Sequence, residues 1–424
     1  MEKENTEIII GLDIGTTKIA VVVGAKNPNG KLDIYGYSKV NSIGLTRGEV
    51  LNQLDTIDSI KKGLTEASNI SNVDIRTVNI GIAGQHIRSF QHVATTIRPN
   101  PSELISENEI EVFIQSIYNL PMEPGYKIVV VMPQHYTIDE NTDILRPVGI
   151  QGHQITGYFH VVIGKHAAIN NIRNCVEASG CVIQNLFMQP HASSAAVLTD
   201  EEKEAGVVLV DIGGGTTDIA IFKNGAIAHT SVIPFAGNSI TNDVAYGCQV
   251  VNDTAERLKV KYGSAICDEI SNNVVIGIEG INGGPGKEIT QKALAEIISA
   301  RAKEIFIEVK AAIEQSGLEN ELLAGIVITG GGSLLANICQ LSQFVTGLNS
   351  RVGYPSAYLA SDNDKDINNP MYSTAIGLIL LASKDKSSNS EAEDIEDEIE
   401  KPEVHKRSSI TKTVLDFFGK HSKY

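Results

Sequence analysis

The feature that most constrains this chain is a motif it carries twice. Residues 8–25 read IIIGLDIGTTKIAVVVGA, and residues 206–225 read GVVLVDIGGGTTDIAIFKNG. In each, an apolar run ends on Asp-Ile-Gly, passes a pair of threonines and resumes as a second apolar run. β-Branched residues on both sides of a short glycine-bearing break predict two strands joined by a tight turn. Asp13 and Asp211 hold equivalent places 198 residues apart. The repeat therefore predicts two related halves, each ending one hairpin in glycine and threonine. A chain of 424 residues is also longer than a single hydrophobic core usually grows.

Such a tip suits a phosphate. Glycine lets backbone N–H groups approach an anion closely, and successive N–H groups form an anion-binding nest. Gly15, Thr16, Thr17 and Lys18 in the first turn, and Gly213, Gly214, Gly215, Thr216 and Thr217 in the second, supply these donors. Asp13 and Asp211 end their strands just before the turns. Carboxylates there can hold the water shell of Mg²⁺, an ion that keeps several waters when bound. Neither turn fits the GxxxxGK[ST] phosphate loop, and neither is followed by the helix a dinucleotide fold requires. A third glycine turn, VITGGGS at 327–333, precedes LLANICQLSQFV. This order predicts a helix start at Gly330, Gly331, Gly332 and Ser333, where amide donors favour an anion or a nucleoside.

Strand-like runs such as IVVVMPQHYTIDE and YFHVVIG alternate with helical ones, which predicts an α/β fold. Among the helices, TIDSIKKGLTEAS offers Thr56 as its cap, KHAAINNIRNCVEASG closes on Gly180, and the long helix from EITQ ends at Gly317. The net charge of −16 leaves no basic excess to neutralise nucleic-acid phosphates. Cys175, Cys181, Cys248, Cys267 and Cys339 form no CxxC pair, as expected for reduced thiols in the cytosol. No signal peptide or membrane-spanning run is expected, and none of the ten histidines lies in an HExxH or HxxxH pattern.

The end of the chain changes character. Residues 384–404 hold nine acidic and three basic residues, and residues 405–424 hold five basic and one acidic. The first stretch is too polar to bury a core and reads as a flexible tether at 384–407, spanning roughly 25–30 Å as a neutral coil. Within the second, Ile410, Val414, Phe417 and Phe418 fall at i, i+4, i+7 and i+8, an arc of roughly 100° that Leu415 widens. Ser408 or Ser409 can cap this amphipathic helix at 408–424, with Lys406 and Arg407 before it. Its apolar face suits either a protein surface or the boundary of an anionic bilayer.

Taken together, GLDIGTTKIAVVVG, DIGGGTTDIAIFKNG, IPFAGNSITNDVAYG, AERLKVKYGSA and the detached tail resemble the actin, sugar-kinase and heat-shock-chaperone ATPase superfamily, and within it the FtsA family of bacterial cell division. The resemblance covers about residues 8–383, with the tail similar in position and character. It implies a two-lobed actin-like (ribonuclease-H-like) fold with an inserted α+β subdomain. It implies ATP and Mg²⁺ as cofactors, with the two fingers on the phosphates, Asp13 and Asp211 on the hydrated metal, and Gly330, Gly331, Gly332 and Ser333 at the adenosine. Glu256 and Lys259, one helical turn apart, would face the ribose and adenine; their spacing alone equally suits a surface ion pair. Gln189, in MQPHASSAAVL, falls where relatives orient the attacking water, and an amide there implies weak hydrolysis at most.

The organisation implied is a first subdomain at 1–83, 166–204 and 370–383, an insert at 84–165, a second subdomain at 205–237 and 320–369, and a third at 238–319. The insert is expected to hold one helix at about 106–118. The family's partners imply the C-terminal peptide of FtsZ docked on residues 238–319, further copies of the chain in filaments, later division proteins and the inner face of the cell membrane at the septum. The alternatives are an MreB-like filament protein and a sugar kinase of the same superfamily; a chaperone of that superfamily would need a substrate domain in the roughly 40 residues that follow 383.

Overall fold

The computed structural model describes residues 7–270, 273–278, 286–361 and 364–393, with side chains to residue 384. The predicted membrane-seeking residues Ile410, Val414, Leu415, Phe417 and Phe418, and the tether beyond 393, lie outside the described residues.

The sequence repeat becomes a repeat of topology. The first half builds strands β1 (Ile9–Ile14), β2 (Lys18–Lys26) and β3 (Leu32–Asn41), a two-residue ladder of β4 (Leu45–Thr46) with β5 (Glu49–Val50), helix α1 (Gln53–Ser71) and strand β6 (Thr77–Ile82). An insert follows as β7 (Ile87–Ile97), α2 (Glu107–Ile117), β8 (Tyr126–Ile138), β9 (Asn141–Ile144) and β10 (Gln154–Lys165). The chain then returns through α3 (His166–Ala178), β11 (Val182–Met188), α4 (Gln189–Val197) and α5 (Asp200–Ala205). The second half begins with β12 (Val207–Ile212), β13 (Thr217–Lys223), β14 (Ala226–Ile233), α6 (Gly237–Cys248) and α7 (Asn252–Tyr262). It continues with β15 (Val275–Ile278), β16 (Lys287–Thr290), α8 (Gln291–Ser316), β17 (Ile326–Thr329), α9 (Ile338–Thr346), β18 (Ser350–Val352) and α10 (Ser373–Glu393).

Two five-stranded sheets carry the order β11-β6-β1-β2-β3 and β14-β13-β12-β17-β18. In both, the motif forms the antiparallel hairpin and the strand beside it pairs in parallel. β1 is buried along its whole length, as expected of a strand with helices on both faces. One core packs α1 and α3 on the outer face of the first sheet. Another packs α6, α7 and α8 on the second. A third lies between the sheets and is filled by α4 and α10. There the helices are nearly flush with their neighbours: a Cβ at Gly377 would overlap the Ala192 carbonyl, and one at Gly11 the Ala375 carbonyl.

The insert has its own sheet, β7-β10-β8-β9, and its own apolar core under α2. Ser106 and Glu109 close a capping box at the start of α2, in agreement with the expected helix. Side chains of the insert reach the edge of the second sheet. Gln91 Nε2 donates to the Ala228 carbonyl at 2.6 Å, and Gln134 Nε2 to those of Ile227 and Ala228 at 3.1 Å. His160, 1% exposed, pairs its Nε2 with Thr230 Oγ1 at 2.9 Å. An edge that would otherwise invite another strand is thereby covered.

Three local expectations change. α1 is capped by Asn52, whose side chain accepts from the amides of Leu54 and Asp55; Thr56 lies inside the first turn and bonds back to the Asn52 carbonyl at 2.8 Å. The third glycine turn opens a short 3₁₀ segment, Gly331–Leu334, and α9 begins only at Ile338. Ala336 pairs there with Ser264 as a β-bridge, which draws the chain out of a helix. α10, with no glycine or proline after Gly377, runs to Glu393, ten residues into the stretch expected to be a tether.

Candidate functional site

The two fingers meet. A Cβ on Gly215 would lie 2.6 Å from Thr16 Oγ1 and 2.9 Å from Thr16 Cβ, and one on Gly214 would overlap Thr17. Glycine is required at both positions because the opposite finger occupies the space. Each turn is closed alike: the Gly15 amide donates to the Lys18 carbonyl at 3.0 Å, and the Gly213 amide to the Thr216 carbonyl at 3.0 Å. Among the described residues no hydrogen bond engages the amides of Thr16, Thr17, Gly214 or Gly215, which leaves donors for an anion.

Acidic groups gather behind the fingers. Asp13 is 4% exposed and is bridged by Lys18 Nζ at 2.5 Å and by Gln189 Nε2 at 3.3 Å. Gln189 reaches it from the first position of α4, which Pro190 helps to start. Asp211 Oδ2 accepts the Ser193 hydroxyl at 2.6 Å. Burial pushes its carboxyl above the usual range, and the nearby charge of Asp13 adds to this. Asp218, opposite Asp211 in the hairpin register, is pushed up to about 7 by burial, then by Asp211. Thr216 donates to its Oδ2 at 3.0 Å, while its buried Oδ1 has no partner among the described residues.

Three carboxylates face one lysine. Such a cluster is costly to hold charged away from water, and a divalent cation offsets that cost. The donor set therefore fits Mg²⁺. Among the described residues no group of three or more His, Cys, Asp or Glu stands close enough to ligate a metal directly.

The third glycine turn completes the wall. Gly330, at φ +79°, lies so close to Asp211 Oδ1 that a Cβ would overlap it, and Gly332 is pressed on Ile212. The second finger also abuts the start of α6, whose Gly237 and Asn238 amides donate to the carbonyls of Gly213 and Gly214 at 3.1 and 2.8 Å. Lys259 sits on this junction. Its Nζ reaches the Gly237 carbonyl at 3.1 Å, Thr241 Oγ1 at 2.8 Å and Glu256 Oε2 at 2.7 Å. Glu256 and Lys259 thus form an ion pair that also braces the second finger.

Two of the predicted site residues turn their hydroxyls inward. Thr217 is fully buried and gives its hydroxyl to the Phe235 carbonyl at 3.0 Å. Ser333, 2% exposed, gives its hydroxyl to the Gly330 carbonyl at 2.7 Å. Both side chains hold the turns in shape. Ser193 and Thr374, which lie behind Asp211, have no counterpart in the motif pattern. Ser193 follows Gln189 by four residues on α4, a spacing that puts both on one helix face; Thr374 carries no local signal.

The chain is similar to known proteins in both sequence and fold. The family profile described as "Cell division protein FtsA" matches residues 208–377, and that of the "SHS2 domain inserted in FTSA" matches residues 84–163. The chain is 34% identical over 385 residues to the cell division protein FtsA of Pseudomonas aeruginosa, covering 91% of each. It is 36% identical over 385 residues to that of Neisseria meningitidis, covering 91% of this chain and 92% of the relative. Among solved structures, the PilM–PilN type IV pilus biogenesis complex shares the fold at 17% identity and a TM-score of 0.63, covering 88% of this chain and 97% of the other. MreB5 of Spiroplasma citri bound to AMPPNP does so at 16% identity and a TM-score of 0.55, covering 92% and 99%. The MreB likeness is one of fold; the likeness of sequence along the chain is to FtsA.

Proposed function

The chain belongs to the FtsA family of cell-division proteins, and from that premise we propose that it binds Mg²⁺·ATP between its fingers and uses the nucleotide as an assembly switch. The observation that carries this reading is the meeting of the two glycine turns in front of Asp13 and Asp211. The free amides of Thr16, Thr17, Gly214 and Gly215 would cradle the phosphates beside Lys18, and Asp13 and Asp211 would hold the waters of Mg²⁺, which would supply charge neutralisation at the phosphate oxygens. Gln189 orients a water but is a poor acceptor for its proton, so turnover is slow and occupancy, rather than hydrolysis, sets the state of the cleft. Gly330, Gly331 and Gly332 and the Glu256–Lys259 pair line the nucleoside end.

The rest of the reading follows from the family and the C-terminal pattern. The helix of residues 408–424 lays Ile410, Val414, Leu415, Phe417 and Phe418 into the inner face of the cell membrane. One short helix binds weakly, and each nearby cation adds only on the order of 1 kcal/mol; self-assembly supplies the rest by avidity. The body then holds FtsZ filaments at the septum through the FtsZ C-terminal peptide and helps recruit later division proteins. Support for docking at 238–319 comes from a shallow surface depression lined by Ala245, Tyr246, Gly247 and Val251, with Tyr246 89% exposed.

The test is co-sedimentation with anionic vesicles, with and without ATP and FtsZ. The full chain is expected to sediment, more so with ATP, and to carry FtsZ with it. Deletion of 408–424, or Phe417→Glu with Phe418→Glu, should release it. Undiminished sedimentation of these variants refutes the anchor.

A further inference from the structure

Asp211 is held from behind by two hydroxyls that no glycine motif contains. Ser193 Oγ lies 2.6 Å from Asp211 Oδ2 and 3.0 Å from Thr374 Oγ1. A serine hydroxyl has one proton. Donated to the carboxylate, it leaves Ser193 only as an acceptor toward Thr374, whose hydroxyl also lies within bonding reach of Asp211, so the two side chains hold the carboxylate together. Ser193 is fully buried and Thr374 is 7% exposed, so water does not compete for these bonds.

Thr374 stands in the first turn of α10. Its neighbour Ser373 pairs with Thr329 Oγ1 at 2.8 Å, and Thr329 is the β17 residue in register with Asp211. The start of α10 is thus pinned at two points to the strand ends that carry the site. Beyond the pins, Gly377 against the Ala192 carbonyl and Gly11 against the Ala375 carbonyl leave no room for α10 to slide on α4 or β1. A change in how Asp211 presents its oxygens must be absorbed by this packed unit.

We propose that Ser193 and Thr374 are positioning residues that aim Asp211 at the hydrated metal, and that through them occupancy of the metal site sets how firmly the first turns of α10 are seated. The inference rests on the nucleotide reading above. Its consequence is a link between the cleft and the helix that leads the chain toward its C-terminal segment.

The test uses the full chain, titrated with a fluorescent ATP analogue at stepped Mg²⁺ concentrations and again in EDTA. Thr374→Val keeps the shape and removes the hydroxyl. It should raise the Mg²⁺ concentration for half-saturation about 10- to 100-fold, the usual effect of losing a partner behind a metal ligand, and leave affinity in EDTA unchanged. Thr374→Ser should restore the wild-type value. Should Thr374→Val not fold, Ser193→Ala makes the same test. A parallel loss with and without Mg²⁺, or no shift, overturns the positioning role. Hydrogen exchange over residues 374–382 should slow when Mg²⁺ joins the nucleotide in the wild type and not in Thr374→Val; no Mg²⁺-dependent change in the wild type overturns the link to α10. A wild-type chain that binds no nucleotide in either buffer overturns the nucleotide reading itself, and the positioning role with it.

Discussion

Adding one methyl group at Gly215 tests whether the fingers close on each other when they hold a ligand. Its Cβ would lie 2.6 Å from Thr16 Oγ1 and 2.9 Å from both Cβ and Cγ2 of Thr16. Carbon atoms rest at about 3.5–4.0 Å, so the shortfall is roughly 0.6 Å. Rotating Thr16 moves Oγ1 and Cγ2 but not Cβ, and the backbone of one finger must yield. Overpacking of this kind costs about 1–3 kcal/mol. The fingers touch in this structure, so the cost falls on the arrangement that holds a ligand between both turns, and Mg²⁺·ATP weakens about 5- to 150-fold, at 1.4 kcal/mol per decade. The assay is a fluorescence titration of Gly215→Ala with an ATP analogue, beside thermal melting to check that the variant folds. Gly277→Ala, where no described atom lies within 4 Å of the new Cβ, is the control. In a Thr16→Gly background, Gly215→Ala should cost no more than about twofold, the signature of a direct pair. Wild-type affinity in the single Gly215→Ala variant would refute closure of the fingers around a ligand.

Two further perturbations follow from the same geometry. Asp211→Ala removes one of the two carboxylates proposed to hold the metal's water shell and should abolish the Mg²⁺-dependent part of ATP binding; unchanged affinity would contradict the assignment. At the seam between insert and second lobe, burial lowers the His160 ring to about 3 from 6.5, so the neutral form stabilises the fold above pH 6.5 and that stability is lost as the pH falls from 6.5 toward 3. At 1.36 kcal/mol per unit, two units of acidification cost about 3 kcal/mol. Urea midpoints between pH 6.5 and 4.5 should fall less steeply in His160→Gln than in wild type, and equal slopes would contradict the account.

The repeat was legible because its signals are local. Asp13-Ile14-Gly15 and Asp211-Ile212-Gly213 end strands wherever the chain later goes, and β-branched flanks settle the hairpins. The ends of α3 and α8 at Gly180 and Gly317 were legible for the same reason: both glycines take positive φ. What the pattern missed depends on distant partners. The pattern names Thr217 and Ser333 but not the direction of their hydroxyls, which the carbonyls of Phe235 and Gly330 accept. Thr374 meets Ser193 across 181 residues, and no window on the sequence contains both. The seam of Gln91, Gln134 and His160 on β14 is equally non-local. α10 outruns its expected end because charge composition argues against burial, whereas a helix already begun needs only the absence of a breaker to continue.

Most direct of all is a crystal structure of the chain grown with Mg²⁺ and a non-hydrolysable ATP analogue. The account predicts the triphosphate lying against both turns at once, with its metal's waters on Asp13 and Asp211. Nucleotide bound elsewhere, or on one turn while the other stands apart, would contradict it.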